Sequence, residues 1–159
     1  MAGPWQPLGV LEGENARLSW RSEQGPATRA AADVAGQGPG LRLMCPMATA
    51  EDRCSWDVDI PLDLAGGTEI QLSIRMAQPD AVKRCSLYFR SGDGWYAGWF
   101  TPSGDAWQSI TLSRQAFGVE GTPAGWGAIQ AIRISLWKGA ARNTLVDIAG
   151  LNGRSDDIV

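Results

Sequence analysis

From residue 28 onward the chain switches between apolar and polar side chains at every other position, in short segments broken by Gly, Pro, Asp and Ser clusters. Successive side chains of a strand point to opposite faces of a sheet, so this period of two marks half-buried strands and leaves little room for helices. The pattern predicts strands near 28–34, 40–46, 54–60, 68–77, 84–91, 95–101, 107–113, 129–138 and 143–149, with one or two more before residue 22. Turn signals separate several of them, at Gly36-Gln37-Gly38-Pro39, Ala65-Gly66-Gly67, Ser91-Gly92-Asp93-Gly94, Ser103-Gly104-Asp105 and Lys138-Gly139. Short strands in that number suit an all-β, two-sheet antiparallel β-sandwich. A chain of 159 residues, 44% of them apolar, can fill one such core, so residues 1–153 are read as a single domain and 154–159 as a tail.

Alternation also divides each strand into an inner and an outer face. Ile70, Leu72, Ile74 and Met76 point inward, with Glu69, Gln71, Ser73 and Arg75 outward. Trp56, Val58 and Ile60 oppose Asp57 and Asp59, while Leu87 and Phe89 oppose Tyr88 and Arg90. Ile132, Ile134 and Leu136 leave Arg133, Ser135 and Trp137 together on the other side. One outer face therefore carries arginine and aromatic side chains. Segment 95–101 breaks the rule, because Trp95, Tyr96, Trp99 and Phe100 put bulky rings on both faces. Trp56, Trp107 and Phe117 are assigned to the core, and Trp126 to anchoring a long loop over it.

The formal charge of −3 is spread without a basic cluster, which argues against a nucleic-acid partner. No apolar run approaches the ~18 residues of a membrane span, so no membrane partner is expected, and Met1 to Leu11 lacks the regions of a signal peptide. Cys45, Cys54 and Cys85 cannot all pair within one chain. Cys45 and Cys54 flank a short polar connection and could form a disulfide, or all three are small buried hydrophobes. Histidine is absent and there is no CxxC, which removes the usual zinc ligand sets and the common nucleophile triads.

Particular residues carry a resemblance. Trp107-Gln108-Ser109-Ile110-Thr111-Leu112 followed by Phe117, then Ile129 to Ser135, Asn143 to Ile148, and Leu62-Asp63-Leu64 before Ile70 and Leu72 are similar, in that order, to galactose-binding-like carbohydrate-binding modules. The resemblance spans about residues 54–153 and implies a jelly-roll sandwich, an accessory domain of a carbohydrate-active protein, secreted or extracytoplasmic within a longer chain. It implies a polysaccharide or oligosaccharide partner, a monomer within a larger multidomain protein, and a structural Ca2+ between an acid near the first strand and an Asp in the last. Glu12, with Glu14 or Asn15 nearby, and Asp147 match those places; the alternative is that these acids face water.

Sugar rings present apolar C–H faces and hydroxyl belts, so a sugar site wants exposed aromatic rings beside Arg, Asp, Gln or Asn. Arg90, Asp93, Trp95 and Tyr96 sit around a glycine turn and form the first candidate; the alternative is that the rings plug the sandwich end and Arg90 pairs with Asp93. Trp137 with Arg133 is the second, its ring covered by a ligand or by a loop, and Trp99 joins the aromatic set. Arg75, with Gln71 and Ser73, would line the same sheet if it is the concave one. Asp57 and Asp59, at i and i+2, mimic the spacing of a glycosidase carboxylate pair, but any such strand pair does. The leading reading is a non-catalytic carbohydrate-binding module rather than an enzyme. The others are a structural or protein-interaction sandwich of a multidomain enzyme and, more distantly, a small carboxylate-dependent hydrolase.

Overall fold

The computed structural model describes residues 3–11, 20–24, 30–31 and 40–155. Among them are twelve strands: β1 (Gln6–Pro7), β2 (Arg21–Gln24), β3 (Ala30–Ala31), β4 (Gly40–Cys45), β5 (Arg53–Leu62), β6 (Gly67–Met76), β7 (Val82–Ser91), β8 (Asp93–Phe100), β9 (Gln108–Ser113), β10 (Gly118–Thr122), β11 (Ile129–Lys138) and β12 (Thr144–Ser155). They form two sheets in which every pairing is antiparallel. The first runs β3-β4-β12-β6-β9, with β1 also on β12; the second runs β10-β8-β7-β11-β5-β2. The expected two-sheet antiparallel sandwich is the fold.

The inner faces are those the alternation picked out. Leu41 and Leu43, Ile70 to Met76 at alternate positions, and Val146 and Ile148 line the first sheet; Cys54, Trp56, Val58, Leu87, Phe89, Ile132, Ile134 and Leu136 line the second. Burying each Leu, Ile or Val contributes about 1.5–3 kcal/mol, and that collective burial fixes the register, since a one-residue slip would turn a whole set outward. Near the end of β12 the register shifts between Ala149 and Asn152, where Gly150 takes φ 65°, and the bulge keeps Leu151 in the core.

Several expectations are corrected. β10 was not predicted, because Gly118-Val119-Glu120-Gly121-Thr122 is exposed at every position and shows no apolar alternation. β12 continues to Ser155, and Arg154 pairs with Glu69 at 2.6 Å, so a domain end at 153 would cut a paired strand. Trp107 is only half-buried, with the Arg75 guanidinium 4.7 Å from its ring centroid, and lies outside the core. Of the two readings left open for the cysteines, the second holds: Cys45, Cys54 and Cys85 are unbridged and buried. Burial pushes the Cys54 thiol up to about 11 and Cys85 to about 12. Most of the expected strand 28–34 lies outside the described residues.

Candidate functional site

The outer face of the second sheet is built in rungs, because β8, β7, β11 and β5 are in antiparallel register. Trp99, Ser86, Ser135 and Ser55 share one rung. On one side lies Ala97-Tyr88-Arg133-Asp57, and on the other Arg84-Trp137-Arg53. Trp95 and Arg90 pair beyond Tyr88, and Glu120 of β10 pairs with Trp95. Small serines floor the middle of the face, and all three are almost wholly buried beneath the larger side chains around them.

Those side chains hold one another. Tyr88 meets Trp95 and Trp99 edge-on, at centroid distances of 6.0 and 6.1 Å, and Trp99 lies 5.5 Å from Trp137. The Trp137 indole Nε1 donates to Ser86 Oγ at 3.0 Å, which tilts that ring over the serine rung. Arg133 donates through Nε and Nη2 to the two oxygens of buried Asp57, at 2.7 and 2.9 Å, while its guanidinium lies 4.5 Å from the Trp95 centroid. A bidentate pair of this kind fixes the plane of the arginine as well as its position. Arg84 lies over Trp99 and Trp137, and Arg53 over Trp137. Between Tyr88, Trp95, Glu120, Arg133, Ser135 and Arg53 is a small depression of about 80 Å³.

The structure brings together Arg90, Trp95, Trp99, Arg133 and Trp137, and separates the rest of the expected set. Tyr96 follows Trp95 by one residue and so falls on the inner side, stacked on Trp126 at 4.2 Å with an interplanar angle of 11°. It belongs to an aromatic plug with Phe89, Phe117 and Trp126, not to the outer face. Asp93 sits exposed at the hairpin turn beside Gly92, whose φ of 56° bends the chain. Arg75 is on β6 in the other sheet, on the opposite side of the molecule's core from Trp137. Tyr88, Arg53, Arg84 and the three serines were not among the expected site residues. Continuing the alternation of β7 back from Tyr88 would have found Ser86 and Arg84.

Asp147 is held in a way that disfavours the expected calcium. Arg42 donates to both of its oxygens, at 2.8 and 3.1 Å, and Arg75 donates to Oδ2 at 2.7 and 3.3 Å. Burial pushes this carboxyl up, yet the hydrogen bonds from the two guanidinium groups outweigh it and hold it below the ordinary aspartate range. A carboxylate already between two cations does not fit a cation ligand. Glu12, Glu14 and Asn15 lie outside the described residues, and among the described residues no cluster of three His, Cys, Asp or Glu side chains could hold a metal.

Asp57 and Asp59 do not form a free carboxylate pair either. Arg133 takes Asp57, and Arg21 donates to both oxygens of Asp59 at 3.2 Å. Asp57 is moreover buried although it lies on the outer face. A second cavity, about 440 Å³, opens near Leu8, Leu62, Phe117 and Trp126. Its charged neighbours are already engaged: Arg114 donates to the Leu64 and Ala65 carbonyls and Arg154 pairs with Glu69. No helix among the described residues is long and apolar enough to cross a membrane.

No protein-family model matches the sequence, and no curated protein is significantly similar to it. Solved structures are similar in fold. A family 11 carbohydrate-binding module from Clostridium thermocellum, in complex with a β-1,3-1,4-mixed-linked tetrasaccharide, matches at TM-score 0.68 and 14% identity over 96% of each chain. A family 30 carbohydrate-binding module matches at 0.57 and 13% identity, over 87% of this chain and 83% of that one. An agarase matches at 0.67 and 11% identity, over 98% of this chain but 25% of its own. The chain has the β-sandwich fold of carbohydrate-binding modules.

Proposed function

We propose that this chain is a non-catalytic carbohydrate-binding module, and that it binds a polysaccharide or oligosaccharide across the outer face of the second sheet. One observation carries the reading: Tyr88, Trp95, Trp99 and Trp137 form a continuous aromatic surface, edged by arginines and floored by serines, where a folded sheet normally presents scattered polar groups. Trp99 stays 41% exposed, an unfavourable position for an indole unless something covers it in use. Sugars stack C–H faces on rings and accept hydrogen bonds at their hydroxyl oxygens, and this surface sets rings beside arginine donors. The similar fold in modules of families 11 and 30 supports the reading, as does its presence as about a quarter of an agarase chain. On this view the chain serves as an extracytoplasmic accessory domain of a carbohydrate-active protein, with the aromatic face free of a catalytic duty.

The test is affinity electrophoresis of the chain through gels containing plant, algal and microbial polysaccharides, beside a Trp99→Ala, Trp137→Ala variant whose thermal unfolding shows it folded. Retention that the variant loses supports the proposal. Absence of retention on every polymer refutes it and favours a structural or protein-interaction sandwich.

A further inference from the structure

Strand β10 adds nothing to the core, since all five of its residues are exposed. Its backbone is nonetheless set close against β8 by glycine on both strands. A Cβ at Gly94 would lie 2.6 Å from the Glu120 carbonyl oxygen, and one at Gly121, where φ is 69°, would lie 2.6 Å from the Asp93 carbonyl oxygen. Opposed residues of an antiparallel pair share a face. β10 therefore brings Gly118 beside Ala97, Glu120 beside Trp95 and Thr122 beside Asp93 on the aromatic side of the sheet. Of these three additions, only Glu120 carries a charged acceptor.

Glu120 lines the depression of about 80 Å³ together with Tyr88, Trp95, Arg133 and Ser135. The arginine and the serine already have partners there: Arg133 is held by Asp57, and Ser135 Oγ lies 2.7 Å from Ser55 Oγ. Glu120 makes no ion pair and no side-chain hydrogen bond among the described residues, so its carboxylate oxygens are open acceptors. A carboxylate only accepts, and what a neutral sugar gives it is a hydroxyl proton, in a bond roughly twice as strong as one between neutral groups. The depression has the volume of about two or three waters, so it admits an arm of one carbon and one oxygen but not a pyranose ring.

Resting on the carbohydrate reading above, we infer that Glu120 is a specificity-determining residue of this face, reading the exocyclic hydroxymethyl arm of a hexopyranosyl unit. The arm enters the depression, its methylene lies against the Tyr88 and Trp95 rings, and its hydroxyl donates to the Glu120 carboxylate. A pentosyl unit has a hydrogen in place of the arm and leaves Glu120 to water. A uronyl unit, whose arm is a carboxylate, sets a second anion against the first.

The experiment runs the chain through affinity gels of soluble 1,3- and 1,4-linked glucan, mannan and galactan, each beside its form oxidised at C6 to the uronate, with xylan as the pentosyl polymer. Glu120→Ala and Glu120→Gln variants, shown folded by unchanged melting temperature, run beside the parent. The inference expects at least one hexosyl polymer to be retained about tenfold or more above both xylan and its own oxidised form. Glu120→Ala should remove about tenfold of that retention and leave any retention on xylan unchanged, whereas a merely structural role would weaken both alike. Equal retention on a hexosyl polymer and its oxidised form, or on hexosyl polymers and xylan, overturns the inference and leaves the carbohydrate reading standing; this comparison uses the parent chain alone. Variants that bind and discriminate as the parent does overturn it as well. Binding to none of these polymers overturns the inference, and binding to no polysaccharide at all overturns the carbohydrate reading with it.

Discussion

Replacing Asp147 by asparagine removes the charge between Arg42 and Arg75 while leaving the side chain's shape almost unchanged. The carboxylate is 6% exposed, the arginines 38% and 31%, so the acid is desolvated and its partners are half in water. A hydrogen bond to a charged group contributes about 1.5–3 kcal/mol, but arginines this exposed recover part of the loss from solvent. The substitution should therefore cost about 2–3 kcal/mol, less than the ~3–5 kcal/mol of breaking a fully buried pair. For a chain of 159 residues that lowers the melting temperature by about 6–9 °C. The cost should also depend on pH. Asp147 holds its proton more weakly when folded than when unfolded, so its contribution is complete above the unfolded aspartate pKa of about 3.9 and is lost as pH falls through the lower folded value. Urea unfolding of parent and variant at pH 7, 5, 4 and 3 measures this directly. A gap below about 0.5 kcal/mol at pH 7, or one that does not narrow in acid, would refute the reasoning.

Ile134→Ala empties a site that is 1% exposed at the middle of β11 and should cost about 2–5 kcal/mol in urea unfolding; a cost below about 1 kcal/mol would remove it from the core. Gly94→Ala would set a methyl 2.5 Å from the Pro123 backbone nitrogen and 2.6 Å from the Glu120 carbonyl oxygen, so about 1–3 kcal/mol of stability should go, together with amide protection across residues 118–122. Cys54 and Cys85, with thiols pushed to about 11 and 12, and buried Cys45 should resist a thiol reagent at pH 8 in the folded chain and react fully in denaturant; fast labelling of the native protein would contradict that burial.

The strands and their inner faces were legible in the sequence because a period of two is a local property. Ile70, Leu72, Ile74 and Met76 state their own face without reference to any other segment, and so do Ile132, Ile134 and Leu136. The same rule placed Arg133 with Trp137 and opposed Tyr88 to Leu87. It failed where a segment's pattern is silent or double. β10 has no apolar side to read, and in β8 a run of rings gave no sign that Tyr96 goes to the plug and Trp95 to the open face.

Sheet membership is the other thing local pattern does not contain. Arg75 and Trp137 both read as outward residues, yet the strand order sends them to opposite sheets. Likewise the acid of β12 looked like a cation ligand until β4 and β6 were seen to bring an arginine to each side of it. Alternation, set by backbone geometry alone, determined which side chains share a strand face. Which faces meet, which charges lie on one rung, and hence where Trp95, Trp99, Trp137 and their arginines form a single surface, was decided only by long-range pairing, because a sheet takes its neighbours from anywhere in the chain.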